Sequence, residues 1–474
     1  MIDDVYRKIW ELSPKVRAEE SYLELTKLTR ELIGLYDLQG RLSYDPFSPT
    51  RLRSLSLPFG KINDLLTDRT CLVTGGLGCV GSTLVNELLK FDLKNLIILD
   101  KQEQVSSGAN VTYSPVDKPG SKVTYVTADV QDLQSVQGIF KKYRPDYVFH
   151  TAAQRDPGLA ELKIFDTVST NVIGTLNIVK ACESSGSVKQ CIFSSTGKAS
   201  RYLTEEIYAG TKKMCEYILD VYSRRGNVRY GMVRFTHILD NSLMNMQLKE
   251  ESERDDFIAV HCPGKFVTAQ NVKEAAFLLI NSLVYSEDKV CNFLIVKNLE
   301  WPVESLEMAL YYIKNSGRAI PVIFRGNPIG YTEKFFRGQM NWARPQDLNL
   351  LINVYEEKYR RHNAEDDIII SHISPVNEKV LGSVLQKIAN STGDLEMKDA
   401  LVSGLHEIVR DSLKYVDKED TVNILKWGLH EKFLEIEKAK ASDYGAIIPL
   451  MFESLRGTPY YEQVENLSYE KATQ

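Results

Sequence analysis

The sequence lacks the features that mark several specialised classes of protein. No apolar run approaches the roughly 18 residues that a membrane-spanning helix needs. The first residues show no basic stretch followed by an apolar one, as a secretory signal does. Lysine and arginine, 58 in number, nearly balance the 63 aspartates and glutamates, so the charge does not favour nucleic acid as a partner. We therefore expect a cytoplasmic protein with no membrane span.

Cysteine pairs and metal-ligand patterns are also missing. The seven cysteines form no C-x-x-C pair, a usage typical of reduced thiols in a cytosol. None of the seven histidines belongs to an H-E-x-x-H motif or lies near paired cysteines, so we expect no metal site. The composition is otherwise ordinary for a globular chain of 474 residues, with 43% hydrophobic and 26% charged residues. That length predicts about two to four domains.

Short apolar runs alternate with amphipathic segments from about residue 66 onward. The runs lie at 71–75, 95–100, 122–129, 146–153, 190–197 and 228–235. The segments with helical spacing between them include 82–89, 132–143, 166–183 and 208–224. This alternation predicts an α/β fold with a Rossmann-like, doubly wound parallel sheet at about 66–300. On either side, helical periodicity predicts a helical N-terminal arm at 1–65 and a helical C-terminal region at 345–474, where strand signals fade.

A glycine-rich turn, TGGLGCVGS at 74–82, follows the first predicted strand and opens a helix. Glycine lets the chain turn tightly and bring backbone N–H groups against a pyrophosphate, and the helix N-terminus adds donors and a favourable dipole. The turn therefore predicts dinucleotide binding by Gly75, Gly78, Cys79, Val80 and Gly81.

An acid at the end of the second strand bears on the choice of dinucleotide. Asp100 lies 19 residues after Gly81 and would accept hydrogen bonds from the adenosine ribose hydroxyls, which favours NAD. Lys101 follows directly, and a cation there would instead suit the 2′-phosphate of NADP. Both NAD and NADP therefore stay open as cofactors.

The ends of the third and fourth strands carry further candidates. Asp129, with Val130 beside it, is placed to meet the adenine amino group, although a loop acid at the surface is the plain alternative. The small residues Thr151, Ala152 and Ala153 would let the sheet edge lie close to a dinucleotide, because such ligands bind outside the carboxyl ends of the strands. Packing of a helix against the sheet explains the alanines equally well.

The fifth strand and the helix after it carry a candidate catalytic group. Tyr208 and Lys212 form Y-x-x-x-K, one helical turn apart and so on one face. A lysine ammonium beside the phenol lowers the phenol pKa, so that the tyrosinate accepts a proton from a substrate hydroxyl as hydride leaves for the cofactor. Thr196, in SSTGKAS at 194–200, would hydrogen-bond the same oxygen.

Together these motifs resemble the extended short-chain dehydrogenases/reductases that modify nucleotide sugars. More narrowly, the chain resembles the polysaccharide-biosynthesis branch, from which it diverges in part. This branch contains UDP-N-acetylglucosamine 4,6-dehydratases and NAD-dependent epimerases/dehydratases. The similarity spans about 66–340 and rests on TGGLGCVGS, TAA, TNVIGTLNIVKAC (170–182), SSTGK (194–198), YAGTKKMCE (208–216) and VRYGMVRF (228–235). It implies an NAD(P)-binding Rossmann domain interleaved with a small substrate-binding part at 236–344, and it adds Asn171 to the cofactor-binding residues.

The resemblance also implies a reaction, with one conflict. Such enzymes oxidise C4 of the sugar with NAD(P), lose water across C5 and C6, and return hydride to C6. Their strand end reads S-T-D-K, with the Asp as acid and the Lys as C5 base, whereas here it reads S-T-G-K. Lys198 matches the base, but Gly197 cannot move a proton through a side chain. Glu205 or Glu206 would have to supply the acid.

Three functions therefore stay open. The first is NAD(P)-dependent modification of a nucleotide-activated sugar, nominally 4,6-dehydration. The second is epimerisation or simple oxidoreduction of a sugar or another hydroxyl substrate, and the third is a cofactor-binding interaction module. For the substrate, Arg155 stands where the family has a lysine, and Lys265 and Arg325 would clamp a pyrophosphate. Family members pair through helices, so we also expect a homo-oligomer.

Overall fold

The computed structural model describes residues 2–102, 122–241 and 247–467. Its strands are β1 Thr70–Thr74, β2 Asn95–Asp100, β3 Lys122–Thr127, β4 Tyr147–His150, β5 Gln190–Thr196, β6 Arg229–Phe235, β7 His237–Ile238, β8 Ile258–Val260, β9 Phe266–Val267, β10 Ala269–Gln270, β11 Asn292–Val296, β12 Val303–Glu304, β13 Val322–Phe324, β14 Arg361–His362 and β15 Ile368–His372.

Helices account for much of the remaining chain. They are α1 Ile2–Leu12, α2 Glu19–Leu38, α3 Ser48–Leu52, α4 Phe59–Leu66, α5 Cys79–Leu88, α6 Leu133–Tyr143, α7 Pro157–Leu162, α8 Ile164–Val168, α9 Gly174–Ser185, α10 Ile207–Arg225, α11 Leu248–Arg254, α12 Val272–Tyr285, α13 Ser305–Ser316, α14 Val354–Glu357, α15 Glu378–Asn390, α16 Asp394–Ser412, α17 Lys418–Gly428, α18 Glu431–Ile436 and α19 Ile448–Leu455. Within the three described ranges, every helix is too short or too polar to cross a bilayer.

The chain divides into two compact units. The larger unit contains Leu55–Phe235, Ala276–Lys297 and the residues from Gly330 onward. The smaller unit contains the residues up to Ser54 together with Thr236–Ala275 and Asn298–Ile329. The division into an arm, a Rossmann domain, a substrate-binding part and a C-terminal region stays a prediction.

The larger unit is built on a nine-stranded sheet with the order β14-β15-β11-β6-β5-β4-β1-β2-β3. All neighbouring pairs from β3 to β11 are parallel. The strand order reverses between β1 and β4, and in sheets of this kind ligands bind at that point, outside the carboxyl ends of the strands. The predicted doubly wound, Rossmann-like α/β fold is confirmed.

The first six strands lie where the apolar runs predict them. The residues of β1, β4 and β5 are buried along their whole length, as expected for parallel strands that helices cover on both faces. Polar side chains cap some of the helices. The Asp132 carboxylate, for example, accepts the backbone N–H groups of Gln134 and Ser135 at 3.0 and 3.1 Å and so caps α6.

One edge of the sheet was not predicted. Strand β15 pairs antiparallel with β11, and β14 pairs antiparallel with β15. Residues 368–371 of β15 are buried, yet they lie in the C-terminal region where strand signals fade. A run of three isoleucines is too short to distinguish a buried strand from a helix by its periodicity. The C-terminal region therefore adds strands to the sheet as well as helices α15 to α19.

The smaller unit packs helices beside three short two-stranded ladders. Strand β7 pairs with β10, β9 with β12, and β8 with β13. Its core contains buried apolar side chains of α1, α2, α13 and β13, among them Ile9, Leu25, Leu310 and Val322.

Candidate active site

The glycine-rich turn joins β1 to α5 at the point where the strand order reverses. Gly75 has a φ of +68°, and a Cβ there would lie 2.7 Å from the backbone of Ala152. A Cβ at Gly81 would lie 2.1 Å from the carbonyl oxygen of Gly75. Both positions therefore need glycine. Gly78 directly precedes α5, and the first turn of that helix contains Cys79, Val80 and Gly81.

Asp100 ends β2 beside this turn. Its Oδ2 accepts the backbone N–H of Leu77 at 3.0 Å, and its Oδ1 accepts that of Gln102 at 3.2 Å. A carboxylate has further lone pairs, so Asp100 is still able to accept ribose hydroxyls. Lys101 is exposed next to it. The selection of NAD over NADP stays a prediction.

Asp129 and Val130 lie between β3 and α6. The Asp129 carboxylate accepts the backbone N–H of Gln131 at 2.9 Å and so stabilises its own turn. Val130 is buried, and its carbonyl accepts the side-chain N–H of Asn177 on α9 at 3.0 Å. These contacts anchor the loop, and a contact with adenine stays a prediction for both residues.

The residues that follow β4 face the glycine turn. The Thr151 hydroxyl donates to the carbonyl of Thr74 at 2.6 Å, and the Ala152 N–H donates to the Thr74 hydroxyl at 3.3 Å. The backbone of Ala152 lies against Gly75, so packing favours small residues here. Contact of Thr151, Ala152 and Ala153 with a dinucleotide stays a prediction.

Asn171 orients the loop after β4. It lies in a π-helical turn, Ser169–Ile173, between α8 and α9. Its side-chain oxygen accepts the Gln154 N–H at 2.8 Å, and its amide group donates to the Gln154 carbonyl and the Thr211 hydroxyl, each at 3.0 Å. Direct contact between Asn171 and a cofactor stays a prediction.

Thr196, Tyr208 and Lys212 meet at the end of β5. Thr196 is the last residue of that strand, and the other two lie near the start of α10. The side chains of Thr196 and Tyr208 hydrogen-bond each other. The buried Lys212 ammonium donates to the carbonyl of Ser194, also in β5, at 2.8 Å. The structure thus brings the predicted catalytic side chains to one strand end.

The pKa of Tyr208 differs from the sequence-based expectation. Burial raises it above its ordinary value of 10.0, whereas the hydrogen bond with Thr196 and the charge of Arg155 act to lower it. Burial also lowers the pKa of Lys212, to about 8. Arg155, one of the three residues predicted to bind substrate, is exposed after β4. Its positive charge acts to lower the pKa of the Tyr208 phenol.

Gly197 follows β5, and packing accounts for its missing side chain. A Cβ there would lie 2.1 Å from Cδ2 of Leu351 and 3.4 Å from the carbonyl oxygen of Phe235. Leu351 is 4% exposed, and its own carbonyl accepts an N–H of Arg234 at 2.9 Å. In this structure a methyl group of Leu351 therefore occupies the place of a Cβ at position 197, and a side chain there would require Leu351 to shift.

Lys198 lies in a cluster of charged side chains. Its Nζ donates to the Glu206 carboxylate at 2.7 Å and to the carbonyl of Gly330 at 3.1 Å. Arg201 pairs with Glu206 at 3.0 Å and with Glu333 at 2.7 Å. Burial lowers the pKa of Lys198 and raises that of Glu333.

The two glutamates expected to replace the missing acid differ in their surroundings. Glu205 is exposed and contacts His406 at 3.0 Å. Glu206 is buried and pairs with Lys198 at 2.7 Å and with Arg201 at 3.0 Å. Sequence reasoning assigned no role to Glu333 or Tyr331, although both lie within the span of the family resemblance.

Lys265 and Arg325 belong to the smaller unit. The Lys265 carbonyl accepts the N–H of Ser305 at 2.9 Å. The Arg325 guanidinium lies 5.8 Å from the ring centroid of Phe257. Their use as a pyrophosphate clamp stays a prediction.

Comparison with known proteins gives consistent matches. Residues 71–251 match the family described as polysaccharide biosynthesis protein. The probable polysaccharide biosynthesis protein EpsC of Bacillus subtilis (strain 168) is 25% identical over 296 residues, which are 61% of this chain and 48% of that protein. The UDP-N-acetylglucosamine 4,6-dehydratase (inverting) of Campylobacter jejuni is 27% identical over 180 residues, which are 37% of this chain and 51% of that enzyme. The chain thus spans about half the length of these curated relatives.

A solved structure supports the fold. The structure of Pen from Bacillus thuringiensis aligns with a TM-score of 0.54 and 19% identity, covering 65% of this chain and 87% of that one. At this identity the match establishes a shared fold.

Proposed function

We propose, from the match of residues 71–251 to the family described as polysaccharide biosynthesis protein, that the protein is an NAD(P)-dependent enzyme acting on a nucleotide-activated sugar. The observation that carries the proposal is the meeting of Thr196, Tyr208 and Lys212 at the end of β5. The names of the two curated relatives support the substrate class.

The glycine turn fits a dinucleotide. Since a side chain at Gly75 or Gly81 would collide with backbone atoms, these two positions present only backbone to a ligand. The turn and the N-terminus of α5 would hold the pyrophosphate, and Asp100 would hold the adenosine ribose. When bound, NAD(P) supplies the acceptor and donor of hydride.

The protein's own residues would manage the proton. Tyr208 accepts the proton of a sugar hydroxyl during oxidation and returns it during reduction, while Thr196 orients the phenol. The positive charge of Arg155 favours the phenolate. The phenolate fraction of Tyr208 grows with pH up to its pKa, so the rate of sugar oxidation should rise with pH in that range. Because burial raises the pKa of Tyr208, this range extends above pH 10.

We further propose that the sugar keeps its C6 hydroxyl, so that the reaction is an epimerisation or a simple oxidation. Leu351 packs beside Gly197, and the Glu206 side chain is engaged by ion pairs with Lys198 and Arg201. A departing hydroxyl needs a proton donor within reach. Position 197 has no side chain to act as one, and the contacts of Glu206 are with two cations.

A 4,6-dehydratase is the second candidate, and one observation favours it. Burial lowers the pKa of Lys198 and raises that of Glu333. Both shifts act toward the neutral forms that a base and an acid need for elimination. In that mechanism Lys198 would remove the C5 proton, and Glu333 would protonate the leaving hydroxyl.

Incubation with UDP-N-acetylglucosamine and NAD⁺ in deuterated water separates the two candidates. We expect a product of unchanged mass with altered stereochemistry at C4, or a product about 2 mass units lighter with reduced cofactor. Mass spectrometry and NMR would detect either one. A net loss of about 17 mass units, from the loss of water and the gain of one deuterium at C5, would instead establish dehydration. If none of these three products forms, UDP-glucose is the next substrate to try.

Asp100→Ala tests the cofactor assignment. Losing hydrogen bonds from the ribose to a carboxylate should weaken NAD⁺ binding by about tenfold to a hundredfold. NADP⁺ binding should weaken much less, and Lys101→Ala should show the reverse preference. Titration calorimetry measures both affinities. An equal loss for NAD⁺ and NADP⁺ in Asp100→Ala would show that Asp100 does not contact the ribose.

A further inference from the structure

The loop after β5 and the segment 330–333 are joined by four charged side chains, which we call the clamp: Lys198, Arg201, Glu206 and Glu333. Lys198 connects the loop to the carbonyl of Gly330 at 3.1 Å, and Arg201 connects it to Glu333 at 2.7 Å. The Thr204 hydroxyl adds a hydrogen bond to Glu333 at 2.6 Å. Several independent polar contacts therefore hold these two pieces of chain together.

Within the clamp, Lys198 has the surroundings of a cation. Its ammonium donates to the Glu206 carboxylate at 2.7 Å as well as to Gly330, and it lies 5.0 Å from the ring centroid of Tyr331. Burial lowers the pKa of Lys198, whereas a carboxylate, a carbonyl and an aromatic face all favour the charged nitrogen. A general base needs instead a lone pair directed at the substrate.

The segment that Lys198 holds brings Tyr331 to the loop after β5, beside the predicted catalytic group. Gly330 has a φ of +84°, and a Cβ there would lie 2.5 Å from the carbonyl oxygen of Pro157, so glycine is needed for this close approach to α7. Tyr331 follows directly and is partly exposed. Burial raises the Tyr331 pKa to about 12. Tyr331 lies against Lys198, which follows Thr196 of the predicted catalytic group by two residues.

We propose that Lys198 is a positioning residue that locks the segment 330–333 onto the loop after β5, and that Tyr331, held in this way, forms the wall against which the sugar lies. The sugar contact rests on the proposed function, whereas the lock does not. An aromatic ring with a hydroxyl offers a rigid apolar face and a polar edge, which suit the C–H and O–H groups of a hexose. Tyr331 then selects the sugar, and Tyr208 moves the proton.

Hydrogen exchange tests the lock without any substrate. In Lys198→Met, the amides of 330–336 should exchange about tenfold faster than in the wild type, because local opening no longer breaks the lysine contacts. Lys198→Arg keeps a cationic donor and should restore slow exchange. The matched control is Lys387→Met, which removes a pair with Glu407 at 3.0 Å between α15 and α16, and it should leave 330–336 unchanged. Unchanged exchange in Lys198→Met would overturn the lock.

Turnover separates a positioning residue from a base. Lys198→Arg should recover most of the kcat that Lys198→Met loses, and its pH profile should match that of the wild type. A guanidinium keeps its proton and cannot replace a general base. Lys198 would be assigned as the base by two results together. Lys198→Arg would lose as much activity as Lys198→Met, and the amides of 330–336 in Lys198→Met would exchange as slowly as in the wild type.

Binding of UDP-N-acetylglucosamine and of UDP alone tests the sugar wall. Tyr331→Ala should weaken the first ligand by about tenfold, the loss expected for one well-placed aromatic contact. It should leave UDP and NAD⁺ affinities unchanged. Equal effects on UDP and on the sugar nucleotide would overturn the wall. If the wild type binds neither ligand, the proposed function fails with the wall, whereas hydrogen exchange still decides the lock.

Discussion

Tyr208→Phe should lower turnover of the sugar substrate by about 100- to 10,000-fold, the range typical of losing a positioned proton-transfer group. The phenyl ring keeps the volume of the side chain but cannot carry the proton. NAD⁺ affinity should change by less than about threefold, since catalysis and uniform binding are separable. Steady-state kinetics and cofactor titration measure the two quantities.

A second tyrosine on the same helix provides the control for this experiment. Tyr222 lies on α10 farther from the strand end, and Tyr222→Phe should keep wild-type turnover. The rise of the oxidation rate with pH should be present in the wild type and in Tyr222→Phe. It should be absent from the residual activity of Tyr208→Phe. Equal turnover in the two variants would remove Tyr208 from the mechanism.

Arg234→Met should lower the free energy of unfolding by about 3–5 kcal/mol, because removing one partner of a buried ion pair leaves uncompensated charge. Arg234 lies in β6 and is 0% exposed. Its guanidinium donates to both carboxylate oxygens of Glu216, at 2.9 and 2.8 Å, and to both of Glu356, at 2.7 Å each. Without the Arg234 guanidinium, the buried carboxylates of Glu216 and Glu356 would lose the positive charge that they both contact. Urea unfolding followed by circular dichroism measures the loss.

Two further variants separate buried charge from lost packing. Arg225→Met removes an exposed pair with Glu378 and should cost less than about 1 kcal/mol. Adding Glu216→Gln and Glu356→Gln to Arg234→Met should recover much of the loss, because the stranded charges are removed. If Arg234→Met costs no more than Arg225→Met, the buried ion pairs do not stabilise this sheet.

The fold could be predicted as far as local patterns reach. Strands β1 to β6 are apolar runs separated by helices, and a parallel sheet covered on both faces requires that pattern. Strands β11 and β15 were missed, although both are buried. Their pairing joins Asn292 to His372, and such a distant pairing leaves no periodic signal in either segment.

The candidate site shows the same limit. The glycine turn and the Y-x-x-x-K pair are motifs of fixed spacing, so the sequence alone singles them out. Leu351 and Tyr331 reach Gly197 and Lys198 only through the folded chain. The direction of the Tyr208 pKa was missed for a related reason. Nearby charges can be guessed from spacing, whereas burial depends on everything packed around the side chain.

The antiparallel pairing of β11 with β15 also constrains how the protein is completed during its synthesis. A ribosome adds about 5–20 residues per second, so β15 follows β11 by roughly 4 to 15 seconds at that rate. During this interval the β11 edge has no partner, and Leu351 has not yet filled the space beside Gly197. An unpaired apolar strand edge can recruit other chains. The nascent chain therefore exposes an aggregation-prone strand edge until the residues of β15 have been added.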